Sequence, residues 1–203
     1  MKQNNQGEEK TTARNTRNKK NETPHLLETF FISQLKDIYY AEQHISRAMP
    51  KLIEACTTDE LREAFEDHLH QTGRHIRRLE NVFQMIGQKA EGEKCEAIEG
   101  IIKEALKIIS ETKAATLTRD AALIMAAQKI EHYEIATYGG LVELAMTIGL
   151  PQAATQLDKT LLEEEQTDLK LTDIAETCIN LNAELEDVLF SWTAKEETAD
   201  TEE

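Results

Sequence analysis

The 203-residue sequence has few of the residues that interrupt helices: three prolines and eight glycines. Aromatic residues are also scarce, at 5% of the chain. The middle of the chain is dominated by alanine, leucine, isoleucine, glutamate and lysine, a composition that favours helices over strands. We therefore expect an all-α protein, and the length suits one domain with tails.

The three cysteines, Cys56, Cys95 and Cys178, are odd in number, widely spaced and without a Cys-x-x-Cys pair. This usage indicates reduced, mostly buried thiols in a cytoplasmic protein. No apolar run approaches the roughly 20 residues that a membrane span requires. The charged N-terminus has no apolar segment behind it, so it does not resemble a secretory signal.

The formal net charge of −15 argues against nucleic acid as a partner of the folded part. Residues 1–23 differ from the rest because they carry six Lys or Arg and three Glu, a net +3. We expect these residues to form a disordered basic tail, solvated or in weak contact with DNA or an acidic neighbour. Residues 24–192 are then the helical domain, and 193–203 a disordered acidic tail.

Apolar periodicity predicts four long helices and one short one. The first begins at Pro24, the second follows Thr57-Thr58, and the short helix runs from Cys95 to about Ser110. The third long helix begins at Thr118 or Asp120, and the last begins at Pro151. A short helix in the connection between the second and third long helices is typical of the crossover in a four-helix bundle.

The stretch from Ile130 to Tyr138 contains the most informative anomaly, since Glu131 and Glu134 lie on an apolar helical stripe. Two buried carboxylates are costly unless a positive group meets them, and in helical bundles that group is commonly a metal ion. The pair Gly139-Gly140 lies in the same helix and predicts either a close backbone approach or a bulge near the site.

The other long helices also carry possible metal ligands at mid-length. In the last helix, the sequence leaves open which pair of acids could chelate a metal. Glu165 and Asp168 are three residues apart, and Glu164 and Asp168 are four apart. A lone inward histidine is more often a satisfied core residue, but here two face inward carboxylates. The predicted ligands are Glu42, His68, His75, Glu131, Glu134, Glu165 and Asp168.

This ligand chemistry suits particular metals. Helices of about 30 residues run about 45 Å, so groups at mid-length meet when the helices form an antiparallel bundle. Hard carboxylates with one or two imidazoles suit iron or manganese. Two adjacent divalent ions would neutralise carboxylates that otherwise repel one another. The alternative is that the inward acids pair with lysines or with the histidines, or stay protonated.

Three runs of the sequence resemble the YciE/YciF family of ferritin-like bacterial stress proteins. They are residues 94–105, residues 119–139 and residues 162–173, and the resemblance covers about residues 25–180. It implies a ferritin-like four-helix bundle with a crossover, a homodimer, and a rubrerythrin-like site for two iron ions or an iron–manganese pair.

The resemblance also implies roles for single residues. Glu42 matches the first-helix carboxylate, and Glu131 and Glu134 with Tyr138 resemble the rubrerythrin pattern Glu-x-x-Glu-x-x-x-Tyr. In the last helix, Glu165 and Asp168 stand where ferritin-like proteins usually carry Glu-x-x-His.

The second helix departs from the family. His70 and Gln71 stand near where relatives tend to carry glutamate, and this helix has no Glu-x-x-His motif. His68 or His75 would then have to supply its ligand.

Two classes of function follow. The first is a di-metal peroxidase or oxidase that reacts with peroxide or O₂ under stress and takes electrons from an external donor, since the chain lacks a four-cysteine rubredoxin module. The second is a non-enzymatic stress or partner-binding protein whose metal site is degenerate. Neither reading involves a membrane.

Overall fold

The computed structural model describes residues 25–186, and all of the regular structure in that range is helical. The helices are α1 (Leu26–Ala55), α2 (Asp59–Met85), α3 (Glu96–Glu111), α4 (Leu117–Thr147) and α5 (Pro151–Ile174). A π-helical turn at Ala175–Ile179 continues α5, and residues 180–186 remain helical. The predicted all-α class is confirmed. Both predicted tails lie outside the described residues, as does the predicted start at Pro24.

Local capping chemistry sets the helix starts. The Thr58 hydroxyl accepts a hydrogen bond from the Leu61 amide and begins α2. Thr116 does the same for the Arg119 amide, so α4 begins at Leu117, slightly before the predicted start. Pro151 occupies the first turn of α5, where its missing N–H costs nothing.

The four long helices pack as neighbours in a ring, in which α1 contacts α2 and α4, and α5 contacts α4 and α2. Neighbours run antiparallel. Tyr39 of α1 donates to Glu80 near the end of α2, whereas the later Glu42 lies beside the earlier His75. The helix α3 lies in the connection between α2 and α4 and packs on α1 and α4.

The buried positions of the long helices are mostly apolar, and the polar exceptions lie mainly at mid-length; buried Arg119 and Asp120, at the start of α4, are the exceptions elsewhere. In α1, Glu42 is fully buried between Ile38 and Ile45, and in α4 the buried pair Glu131 and Glu134 interrupts an otherwise largely apolar series. No helix within residues 25–186 combines the length and apolar composition needed to cross a lipid bilayer.

The pair Gly139-Gly140 does not have either predicted role. A Cβ added at either position would meet no atom within 4 Å, so no close backbone approach occurs within the described part of the chain. The helix α4 also continues without a bulge through both glycines. The π-helical turn lies elsewhere, in the continuation of α5. Both predictions for this pair were wrong.

Candidate metal centre

A cluster of buried acids and histidines lies where the midpoints of the four long helices meet. It divides into two groups that share Glu164 of α5, and all its members are at most 3% exposed. We call Glu42, His75 and Glu164 the His75 half-site, and His68, Glu131, Glu134 and Glu164 the His68 half-site.

In the His75 half-site, Nδ1 of His75 lies between two carboxylates. It is 2.8 Å from Oε1 of Glu164 and 3.4 Å from Oε1 of Glu42. Oε1 of Glu42 accepts a 2.5 Å hydrogen bond from the phenol of Tyr138, whereas its other oxygen has no hydrogen-bond partner within residues 25–186. Each of the three residues therefore presents a ligand atom to the same small volume.

In the His68 half-site, the contacts are looser. Nε2 of His68 is 3.3 Å from Oε1 of Glu131, and Nδ1 is 3.9 Å from Oε2 of Glu164. Among the described residues, neither ring nitrogen has a hydrogen-bond partner, and the same holds for both oxygens of Glu134. The ligand atoms of the group nevertheless lie within 4.8 Å of one another.

The unsatisfied polar atoms of the described residues are concentrated in this cluster. Nine buried side-chain nitrogen and oxygen atoms lack a hydrogen-bond partner between residues 25 and 186, and all nine belong to the six cluster residues. Buried polar groups in folded proteins are nearly always paired, because leaving one unpaired costs about 1–3 kcal/mol. The six residues could hold a cation, since each offers a ligand atom to one of the two groups.

Burial and mutual repulsion perturb the acids. Burial, followed by the charge of Glu164, raises the pKa of both Glu131 and Glu134 well above the usual range. Burial lowers the pKa of His68. Burial also acts to lower the pKa of His75, but the carboxylates of Glu42 and Glu164 outweigh it and raise that pKa to about 10. Protons thus offset part of the buried negative charge when no cation is present.

The structure brings five of the seven predicted ligands together: Glu42, His68, His75, Glu131 and Glu134. It does not bring Glu165 there, because that side chain is exposed, and Glu164 takes the inward position instead. Asp168 is half-buried outside the cluster, where it accepts from Gln128 and lies 3.3 Å from His132.

The sequence does contain a pattern that indicates which glutamate of α5 faces the core. The residues seven positions on either side of Glu164 are Leu157 and Leu171, both buried, whereas Glu165 has Asp158 and Thr172 at the same distance. Buried Thr160 and Thr167 complete the stripe, but their polarity conceals it from a count of apolar residues.

The two residues of α2 that differ from the family pattern, His70 and Gln71, lie outside the cluster. His70 is exposed, and Gln71 is half-buried and accepts a hydrogen bond from Thr167. The contribution of α2 comes instead from His68 and His75, seven residues apart on the same face.

The comparisons agree with this arrangement of helices. Residues 26–184 match a family described as a domain of unknown function, DUF892. The chain belongs to the DUF892 family. Protein YciF of Escherichia coli (strain K12) is 45% identical over 159 residues, which are 78% of this chain and 95% of that protein. The predicted resemblance to the YciE/YciF family is thereby confirmed.

Two solved structures are similar over most of the helical region. The crystal structure of the E. coli stress protein YciF matches with a TM-score of 0.72 at 45% identity, covering 76% of this chain and 97% of that one. YcfI from Rhodopseudomonas palustris, described as a candidate structural protein, matches with a TM-score of 0.71 at 40% identity, covering 73% of this chain and 94% of that one.

Proposed function

We propose that this DUF892 protein is a ferritin-like stress protein whose four-helix bundle holds two divalent ions, iron or manganese, at its centre. The observation that carries the proposal is the set of nine unpartnered buried atoms, all in the six residues of the cluster. Oxygen and imidazole ligands of this kind suit both metals.

The donor set fits two ions in number and in charge. The cluster contains four carboxylates and two imidazoles, so two divalent cations would balance its full negative charge. Glu42 and His75 would hold one ion, and His68, Glu131 and Glu134 the other. Glu164 belongs to both half-sites and would contribute to holding both ions.

The bound metals would supply electron exchange with peroxide or O₂, a reaction class in keeping with the stress protein YciF. The residues of the chain would prepare the site for that chemistry. The six ligands are shielded from bulk water, which strengthens their electrostatic attraction for a cation. Tyr138 fixes one oxygen of Glu42 by a hydrogen bond, which leaves the other oxygen free to bind. Electrons for repeated turnover would come from a separate donor.

Metal loading and peroxide consumption test this function. Chelated protein is loaded anaerobically with Fe²⁺ or Mn²⁺, desalted and analysed by elemental mass spectrometry, and peroxide consumption is then followed. We expect about two ions per chain. Glu164→Gln should lose most of the metal and the peroxide reaction, whereas the neighbouring exposed Glu165→Gln should retain both. Absence of metal in the wild type would contradict the proposal.

A second candidate is a non-enzymatic role, which is favoured by the internal pairing of the cluster. His75 lies within 3.4 Å of Glu42 and Glu164, and these carboxylates raise its pKa, so a protonated imidazole would balance them in place of a metal. The description of YcfI points the same way for that protein. A protein that binds no metal during anaerobic loading would favour this candidate.

A further inference from the structure

The two half-sites differ in how their ligands are supported from outside the cluster. Nε2 of His75 lies 2.7 Å from Oε2 of Glu163, a residue that is not among the cluster ligands. Arg78 donates to both carboxylate oxygens of Glu163, at 3.1 and 3.2 Å, and also to the hydroxyl of Thr160 at 2.5 Å. The imidazole of His75 is thus linked through the carboxylate of Glu163 on α5 to the guanidinium of Arg78 on α2.

This connection decides which ring nitrogen of His75 is available. Nε2 is taken by Glu163, so the ring must present Nδ1 to Glu42 and Glu164. Nδ1 lies 2.8 Å from Oε1 of Glu164, close enough for an ion pair, but forms no well-aligned hydrogen bond with any described residue. A carboxylate that accepts from the far nitrogen of a histidine ligand fixes both the tautomer and the ring orientation.

The His68 half-site has no comparable support among the described residues. Both ring nitrogens of His68 are without hydrogen bonds, and so are both oxygens of Glu134. No hydrogen bond from outside the cluster orients His68 or Glu134 before a cation arrives, so orienting them should cost part of the binding free energy.

We propose that Glu163, held by Arg78, is a positioning residue that fixes His75 as an Nδ1 ligand and makes the His75 half-site the tighter of the two. This inference rests on the proposed metal site and goes beyond it. It predicts that the protein binds two ions in separate steps, of which the first fills the half-site of Glu42, His75 and Glu164.

Calorimetric titration of the full-length metal-free protein with Mn²⁺ tests the assignment. Wild type should show two steps of unequal affinity. Glu163→Gln keeps the size of the side chain but removes its charge, and should weaken the tighter step by about 10–100-fold while changing the weaker step little. Arg78→Gln should shift the same step in the same direction. Glu165→Gln is the matched control, because that glutamate is exposed and should leave both steps unchanged.

A readout of the ligand field separates positioning from a general effect on stability. With Co²⁺ as the probe, the visible absorption of the first equivalent should change in Glu163→Gln but not in Glu165→Gln. Two steps that weaken equally, or a tighter step unchanged in both Glu163→Gln and Arg78→Gln, would overturn the inference and leave the metal site intact. Wild-type protein that binds no Mn²⁺ would overturn the proposed function as well.

Discussion

Tyr138 of α4 donates a 2.5 Å hydrogen bond to Oε1 of Glu42 of α1, and both side chains are completely buried. The bond joins the two helices at the level of the cluster. It also divides the oxygens of Glu42 into one that is satisfied and one that is not. This division is what a terminal metal ligand requires, since the carboxylate is oriented before the ion arrives.

Replacement of Tyr138 by Phe should therefore destabilise the metal-free protein. The substitution keeps the ring but leaves Oε1 of Glu42 without a partner, which should lower the free energy of unfolding by about 1–3 kcal/mol. Urea denaturation in the presence of a chelator measures the change. Tyr40→Phe is the control, because Tyr40 donates to Glu99 outside the cluster and its loss should cost less. Equal losses in the two variants would contradict the special role of the buried pair.

The stability of the metal-free protein should fall with rising pH. The pKa of Glu131 and of Glu134 is raised by burial and by Glu164, so their stabilising contribution is lost as pH rises above 4.5. The pKa of His75 is raised from 6.5 to about 10, so its contribution is present below pH 6.5 and is lost between these values. Both effects have the same sign above pH 6.5, whereas the lowered pKa of His68 acts only below 6.5.

Urea unfolding at several pH values between 6.5 and 10, in chelator, tests this dependence. The double variant Glu131→Gln/Glu134→Gln should show a shallower decline, because it keeps only the contribution of His75. Saturating Mn²⁺ should reduce the decline in wild type, since deprotonated ligands bind the ion more tightly. Metal-free stability that increases over this range would show that the cluster is not protonated as described.

Gly140 offers a test of the uninterrupted course of α4. The position is exposed, and an added Cβ would meet no atom within 4 Å. Gly140→Ala should raise the unfolding free energy by about 0.5–1 kcal/mol, since glycine loses more conformational entropy in a helix than alanine does. Gly149→Ala should have the opposite effect, because Gly149 adopts a φ of +80°. Thermal unfolding of both variants decides between these outcomes, and a destabilised Gly140→Ala would reveal a contact made by this surface.

Much of the fold could be predicted because the inner stripes of α1, α2 and α4 are regular and mostly apolar. Glu42, Glu131 and Glu134 interrupt such stripes, so their inward direction could be predicted without a structure. The inner stripe of α5 contains the polar residues Thr160 and Thr167, and three consecutive glutamates occur at its middle. Only the seven-residue spacing of buried leucines around Glu164 indicates that this glutamate, and not Glu165, faces the core.

Contacts between helices could not be predicted, because they produce no pattern within the sequence of a single helix. Glu163 is an ordinary surface residue type, and only the packing of α2 against α5 brings it to His75 and Arg78. The role predicted for Gly139-Gly140 failed for a related reason. A glycine pair indicates that a backbone can be approached, but not that a neighbour is present.

Anomalous diffraction from Mn²⁺-soaked crystals tests most directly whether the cluster around Glu164 holds two metal ions. Data collected at the manganese absorption edge should show two peaks inside the bundle, one on each side of Glu164. One peak should contact Glu42 and His75, and the other His68, Glu131 and Glu134. An empty core, or peaks confined to surface acids such as Glu165, would contradict the claim.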